Sequence, residues 1–134
     1  MSMTITLGDT PCPAGIHKAT CARVEDNGTV ETQYGPKHKV TITWQVVAGP
    51  LTQTFEVRRR YTWSLHEKST LRQHLDAWVG PLTPDQLAKG VDLEQLVGTV
   101  AQIQITHTVK GDRTWADVEG VTKDPDLTAD EIPF

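Results

Sequence analysis

Four cationic side chains occupy alternate positions in two adjoining segments of the chain. Lys37 and Lys39 begin a run in which apolar and polar residues alternate, and Arg58 and Arg60 take polar positions in the next such run. Because successive side chains of a β-strand point to opposite faces of a sheet, each pair would lie on the face away from the core. Such a row of cations can follow the phosphates of an extended nucleic acid strand, although solvated strand faces also carry lysine and arginine.

The consecutive residues Arg58, Arg59 and Arg60 favour a binding role over simple solubility. The position of Arg59 is ambiguous, because the sequence around it departs from clean alternation and is compatible with a β-bulge. Lys110 and Arg113 flank a Gly-Asp turn farther along the chain and would extend the basic track.

Aromatic side chains near these cations could stack on unpaired bases. Stacking contributes about 1–3 kcal/mol per base and tolerates any base, because every base has a π-face. Trp44, Phe55 and Trp78 fall on apolar faces of their segments and are predicted to lie in the core. The remaining aromatics are candidates for stacking, and each could equally be ordinary packing: Tyr34, Tyr61, Trp63 and Trp115.

The end of the chain combines acids with a terminal apolar group. Residues 124–134 contain four acids and no Lys or Arg, and the last three residues are Ile132, Pro133 and Phe134. A segment this short and polar cannot bury enough surface to offset its ordering entropy, so disorder is expected. A docking peptide would explain the terminal Phe134, whose ring could fill a pocket while its carboxylate meets a basic residue.

The elements that would position these residues are three strands, a helix and two further strands. An Asn-Gly pair at 27–28 predicts a hairpin turn, and the spacing of Ser64 and Glu67 predicts a helix N-terminus. This order is that of the OB-fold, a five-stranded barrel with its helix between the third and fourth strands, although SH3-like barrels and small α+β sheets stay open. The first predicted strand covers 16–26, and residues 29–34 would extend the hairpin that follows it. The other predicted strands are 37–47, 53–62, 99–109 and 113–121, with a helix over 68–79 and short helical turns near 83–84 and 92–96.

The terminal segment Asp130-Glu131-Ile132-Pro133-Phe134 resembles the acidic tip of bacterial and phage single-stranded-DNA-binding proteins (SSBs). The resemblance implies that the tip recruits replication and repair proteins and competes with DNA for the binding face. An ordinary acidic tail that ends in phenylalanine is the alternative. The body, with Tyr-Gly-Pro-Lys before its second strand, resembles divergent phage or mobile-element OB-fold proteins only diffusely, so no binding residue outside the tip is carried over.

Charge and length divide the chain into a body and a tail. A chain of 134 residues suits one domain, and its net charge is −4. Four of its 17 acids lie in residues 124–134, so the 13 acids of the body equal its 13 Lys and Arg residues. We therefore predict an OB-fold domain over residues 1–123 and a disordered acidic tail over residues 124–134.

Several function classes are disfavoured by the sequence. No apolar run approaches the ~20 residues of a membrane span, and no secretion signal begins the chain, so a cytoplasmic location is expected. Cys12 and Cys21 are expected to be reduced thiols, and no paired Cys or His spacing suggests a metal site or cofactor. No Walker loop or nucleophile elbow occurs, and Asp117 with Glu119 fits a polar strand face, so no enzymatic activity is expected.

The sequence therefore predicts a mainly β protein that binds single-stranded DNA without strict sequence preference in replication, recombination or repair, with a tip that recruits partner proteins. An adaptor or inhibitor of host repair that mimics the SSB tip without binding DNA is the alternative, and an RNA-binding barrel is a third. An exposed edge strand could pair with a second copy, so monomer, dimer and tetramer stay open.

Overall fold

The computed structural model describes residues 12–48, 53–111, 113–127 and 132, without the side chains of residues 48, 53, 110 and 113. Its five strands are β1 (Gly15–Thr32), β2 (Gly35–Ala48), β3 (Gln53–Thr62), β4 (Val100–Lys110) and β5 (Arg113–Thr122). Its helices are α1 (Thr70–Val79), α2 (Pro84–Lys89) and a 3₁₀ turn at Leu93–Leu96. The predicted mainly β class, and the order of three strands, main helix and two strands, are confirmed.

The strands form one antiparallel sheet in the order β3-β2-β1-β4-β5. The five-stranded barrel that the sequence predicts is not closed, because no ladder joins the edge strands β3 and β5 within the described residues. The two edges nevertheless approach each other, since the Arg59 Nη1 of β3 donates a hydrogen bond of 2.7 Å to the Val118 carbonyl of β5. Helix α1 contacts both edge strands and so covers the gap between them.

Strand β1 is one long strand where the sequence predicted a hairpin. The turn predicted at Asn27-Gly28 is wrong: the ladder from β1 to β2 continues past it with a register shift between Asp26 and Gly28. Gly28 has φ +66°, and its N–H donates to Asp26 Oδ1 at 2.8 Å. A glycine in the left-handed region is as typical of a β-bulge as of a tight turn. The chain reverses later, at residues 33–34.

Strand β3 alternates without interruption, so no β-bulge is formed at the three arginines, and the position of Arg59 that the sequence left open is decided. Its ladder to β2 runs in unbroken register from Gln53 to Thr62. Arg59 therefore lies on the same face as the buried residues Val57 and Tyr61. Arg58 and Arg60, as predicted, point to the other face and are exposed.

Helix α1 begins later than its first sequence signal. Ser69, not Ser64, is the N-cap, and its Oγ accepts a hydrogen bond of 3.1 Å from the Arg72 N–H. The Ser69 Oγ also donates to the Ser64 carbonyl at 2.8 Å, which holds the preceding loop against the helix. The start of α2 near residue 83 is confirmed, with a complete capping box between Thr83 and Gln86.

The core lies between the inner face of the sheet and α1. Trp44 and Trp78 are both buried, as predicted, with ring centroids 6.1 Å apart. The Trp78 Nε1 donates a hydrogen bond of 2.8 Å to the Val100 carbonyl, which ties the helix to β4. Phe55 is partly buried and packs against this core, in agreement with its apolar position.

The packed chain extends beyond the domain boundary predicted after residue 123. Asp124 and Leu127 are buried, at 2% and 3% exposure. The Asp124 carbonyl accepts the Leu127 N–H at 2.9 Å, and its Oδ1 accepts the Asp126 N–H at 2.8 Å. Lys18 of β1 forms ion pairs with both aspartates. Residues 124–127 therefore belong to the folded body rather than to a disordered tail.

Candidate nucleic-acid interface

The outer face of β2 and β3 brings together the predicted cations of both strands. Arg60 lies opposite Thr41 and Arg58 opposite Thr43, so both arginines share a face with Lys39 and Lys37, which precede these threonines at alternate positions of β2. Lys39 Nζ donates to Thr62 Oγ1 at 2.8 Å across the ladder. Neither arginine forms an ion pair with a residue in the described part of the chain. This face presents cations that no described carboxylate neutralises.

The acids on this face are held by a fifth cation, Arg23 of β1. Arg23 lies opposite Thr43, and its guanidinium contacts Glu25 at 3.4 Å and Glu56 at 3.1 Å. These three side chains are about half exposed, so the pairs contribute little to stability. Their effect is on the charge of the face, because Arg23 pairs with Glu25 and with Glu56, which lies two residues before Arg58 in β3.

A cleft of about 530 Å³ lies where β3 passes into the loop before α1. The side chains of β2 and β3 form one wall, and the loop with the start of α1 forms the other. Cations dominate the cleft, and no acid is among the described residues that line it. The lining residues are Lys39, Arg59, Arg60, Tyr61, Thr62, Ser64, His66, Lys68, Ser69 and Thr70.

Arg59 lines this basic cleft, and a hydrogen bond to the Val118 carbonyl holds its side chain in place. Besides its bond to Val118, its guanidinium carbon lies 5.5 Å from the centre of the Tyr61 ring, a cation–π arrangement. Its Nε is buried and finds no hydrogen-bond acceptor among the described residues. A guanidinium that is fixed and not fully satisfied increases the positive potential of the cleft. The sequence left this residue ambiguous, although unbroken alternation in β3 would have placed it inward.

The prediction that Tyr61 stacks on bases is corrected by its burial. Its ring is 3% exposed and packs edge-on against His74, with 5.4 Å between centroids. Its hydroxyl lies 2.8 Å from His74 Nδ1. Because β3 has no bulge, Tyr61 falls on the core face with Val57, and its ring face is not available to a base.

Trp63 is an exposed aromatic residue that directly follows β3, the strand that carries Arg58 and Arg60. It is 46% exposed and stacks on His38, with 4.5 Å between ring centroids and planes 3° apart. The backbone N–H of Trp63 donates a hydrogen bond of 2.8 Å to the His38 carbonyl. The His38 Nε2 lies 2.5 Å from Asp26 Oδ1. One face of the Trp63 ring is thus supported by a ring that is itself held by a carboxylate. Such a rigid platform suits stacking on an incoming base.

The other predicted contacts lie at two turns. Tyr34 is 81% exposed in the turn between β1 and β2, beside the start of the basic strand. Trp115 is 41% exposed on β5, opposite Thr108 of β4, away from the face of β2 and β3. Lys110 and Arg113 end β4 and begin β5, but their side chains lie outside the described residues. The structure thus places Tyr34 near the cations and Trp115 on a separate pair of strands.

Lys68 and His66 join the site although the sequence did not single them out. Both line the basic cleft from the loop before α1. The Lys68 N–H donates to His66 Nδ1 at 3.2 Å, which shapes the loop. Lys68 lies directly before Ser69, the N-cap of α1. The sequence can predict where a helix begins, but this does not show which strand the loop before the helix contacts. Only the tertiary fold brings Lys68 to Lys39 and Arg60.

Of the predicted tip, Ile132 alone lies within the described residues, whereas Asp130, Glu131, Pro133 and Phe134 lie outside them. Ile132 is partly buried and packs against the core. It lines a cleft of about 270 Å³ with Val79 at the end of α1, with Leu82 in the segment that connects α1 to α2, and with Gln86 of α2. Its side chain is therefore in contact with the body.

The described residues also allow statements on the two cysteines, on metal ions and on membrane-spanning helices. Burial raises the pKa of Cys21 to about 12 and also raises the pKa of Cys12, so both thiols are protonated at neutral pH. No group of three or more His, Cys, Asp or Glu side chains in the described ranges is arranged to hold a metal ion. In those same ranges, no helix has the length and apolar character to cross a bilayer. No protein-family model and no curated protein matches the chain, so the case for nucleic-acid binding depends on the geometry and charge of this face.

We predict that His74 makes the fold sensitive to mild acid. Burial, with a smaller contribution from the charge of Arg59, lowers the pKa of His74 to about 4, against about 6.5 in an unfolded chain. The unfolded state therefore takes up the proton first, and the free energy of unfolding should fall as pH drops from 6.5 towards 4. Urea denaturation at pH 6.5 and pH 5, above the range of most carboxylates, measures this loss.

The variant His74→Gln should show a smaller loss between those two pH values, because the amide oxygen of glutamine could still accept the Tyr61 hydroxyl but the side chain does not titrate. His66→Gln is the matched control, since His66 is exposed. An equal loss in all three proteins would show that His74 is not the group responsible.

Proposed function

We propose that this protein binds single-stranded DNA, without strict sequence preference, along the outer face of β2 and β3 and into the basic cleft. The observation that carries the proposal is the cleft itself: Lys39, Arg59, Arg60 and Lys68 line it without a described carboxylate. Trp63 follows the last residue of β3 and presents an exposed ring nearby. Phosphate-binding cations next to a rigid aromatic platform are the two components of single-strand recognition.

The topology supports a partly open OB-type barrel as the scaffold. In the sheet order β3-β2-β1-β4-β5, the edge strands are β3 and β5, and the hydrogen bond from Arg59 to the Val118 carbonyl bridges the gap between them. Helix α1, which lies between β3 and β4 in the chain, covers that gap. OB-folds bind oligonucleotides on the face of their second and third strands. Lys37, Lys39, Arg58 and Arg60 lie on the outer face of β2 and β3 in this chain.

In the proposed mechanism, the phosphates of the strand bind to the side chains of Arg58, Arg60 and Lys39, and bases stack on Trp63. Each phosphate contact releases counterions, which makes affinity fall with salt, and stacking adds energy independent of sequence. Coverage of the strand would protect it during replication, recombination or repair. A phage or mobile element is the source suggested by the diffuse resemblance of the body.

The C-terminal tip is proposed to recruit partner proteins, as its resemblance to the SSB tip implies. Its acids would steer the approach, and its terminal apolar residues would fill the partner's pocket. Because Ile132 packs against the core of the body, this part of the tip would have to leave the body to meet a partner. An adaptor that uses the tip without binding DNA is the alternative.

The deciding experiment is a fluorescence-anisotropy titration of a labelled oligo(dT), at low and moderate salt, with the full chain and a version that ends at Leu127. The truncation ends there, rather than at residue 123, because Asp124 and Leu127 are part of the packed body. We expect salt-dependent binding by both proteins, with equal or tighter binding by the truncated one because residues 128–134 carry two acids and no Lys or Arg. Partner capture should be lost with the tip.

A full chain that binds no oligo(dT) at low salt would contradict the proposal and favour the adaptor. An RNA of the same sequence distinguishes a DNA-binding protein from an RNA-binding one, because the ribose 2′-hydroxyl changes contacts and backbone shape. Phe134→Ala in the full chain is the matched control for truncation, since it removes the terminal ring and keeps every charge.

A further inference from the structure

An apolar groove adjoins the basic cleft at the loop that follows β3. Its volume is about 350 Å³, and its walls come from this loop, from α1 and from the segment after α2. The lining is mostly aliphatic with one indole ring, and no charged side chain among the described residues takes part in it. The lining residues are Trp63, Ser64, Leu65, Leu71, Gly90, Val91 and Leu93.

The groove and the cleft are parts of one continuous surface. Ser64 lines both of them, and Trp63, which precedes it, lines the groove. The loop is held in place, because the Ser64 carbonyl accepts the Ser69 hydroxyl and its Oγ accepts the His66 N–H at 3.1 Å. An apolar site and an anion site therefore meet across a single fixed residue.

We propose that this pair of sites binds one nucleotide of the single strand, with its base inserted in the apolar groove against Trp63 and an adjacent phosphate in the basic cleft. The proposal rests on the single-stranded-DNA binding proposed above and adds a site to it. A base has apolar faces that suit Leu65 and Val91, and its backbone phosphate requires the cations that lie just beyond Ser64. This goes beyond surface stacking, because the base would be enclosed on more than one side.

Charge complementarity selects a nucleotide over other occupants. The cleft presents Lys39, Arg59, Arg60 and Lys68, and a strand carries a phosphate on each side of every base. The groove volume falls within the usual range for small-ligand sites, which are mainly apolar with few polar groups. A neutral apolar peptide would leave the adjoining cations without a partner.

The test compares oligo(dT) of about 20 nucleotides, longer than one OB-fold usually covers, with an abasic oligonucleotide of the same length. The abasic strand retains the phosphates and lacks the bases. In Val91→Phe the new ring should fill the groove without changing charge. Val97→Phe is the matched control, because Val97 is 49% exposed and outside the groove.

We expect Val91→Phe to weaken oligo(dT) binding about tenfold, within the range for one base contact, with unchanged affinity for the abasic strand. Equal oligo(dT) affinities for Val91→Phe and Val97→Phe would overturn the nucleotide site and leave DNA binding intact. Failure of the unmodified protein to bind either oligonucleotide would instead overturn the proposed function.

Photocrosslinking of the unmodified protein provides a second measurement that does not depend on a variant. A strand in which thymine is replaced by 5-iodouracil should form adducts with Trp63 or with residues 90–93. Adducts confined to Tyr34 or Trp115 would contradict insertion in the groove and would locate the bases on other aromatics.

Discussion

Replacement of both Arg58 and Arg60 by glutamate is expected to weaken oligo(dT) binding by at least about 100-fold at moderate salt. Each arginine is exposed on the outer face of β3, and a charge-assisted contact contributes about 1.5–3 kcal/mol, so two lost contacts account for this factor. Loss of two phosphate contacts should also reduce the slope of log affinity against log salt by about 1.4 for a single strand. Anisotropy titrations at several salt concentrations measure both effects.

The matched control is the double variant Lys89→Glu and Lys123→Glu, which changes net charge by the same amount at a distance from the proposed face. Lys89 lies at the end of α2 in an exposed pair with Asp85, and Lys123 follows β5. A general effect of net charge would weaken binding equally in both double variants. Such equality, or an unchanged salt slope in the β3 variant, would contradict a phosphate track on β3.

The strands that carry the proposed interface were predictable because their alternation is long. In β2, Val40, Ile42, Trp44 and Val46 are all buried, and the residues between them form the opposite face. A period of two over so many residues defines both the strand and its faces, since a shift of one residue would expose the whole apolar set. The outward direction of Lys37 and Lys39 on β2 therefore followed from the sequence.

Local signals failed where one pattern is compatible with two structures. The Asn27-Gly28 pair supplies a positive φ, which a hairpin turn and a β-bulge both use, and pairing with β2 decided for the bulge. Ser64 and Ser69 both precede the helix, and only the hydrogen bond from the Arg72 N–H identifies Ser69 as the cap. Sequence spacing alone shows neither the pairing of β1 with β2 nor which of the two serines accepts the hydrogen bond at the start of α1.

The tail and the cleft depend on contacts between distant parts of the chain. Composition alone predicts disorder after residue 123, but Asp124 is in contact with Lys18 of β1, and Leu127 joins the core. Lys68 reaches Lys39 because α1 crosses the gap between the edge strands. Burial and charge at these positions are properties of the assembled fold, and no short segment encodes them.

Substitution of Trp78 by alanine is expected to lower the free energy of unfolding by about 3–5 kcal/mol. Trp78 is 1% exposed, packs against Trp44 and donates to the Val100 carbonyl. Its removal leaves a cavity between α1 and the sheet and deletes the bond that ties them. For a domain of this size the midpoint of thermal unfolding should fall by roughly 10–20 °C. Urea denaturation and a thermal scan followed by circular dichroism measure the two quantities.

Trp63→Ala is the matched control because the same side chain is removed from the surface. Trp63 is 46% exposed and loses mainly its stacking on His38, so we expect a stability change of about 1 kcal/mol or less. Its oligo(dT) affinity should instead fall about 5- to 150-fold, the range for one lost base stack. Similar destabilisation by both substitutions would contradict the separation of core and interface tryptophans. If Trp63→Ala retains full affinity while it stays folded, bases do not stack at the end of β3, and the cations alone would have to hold the strand.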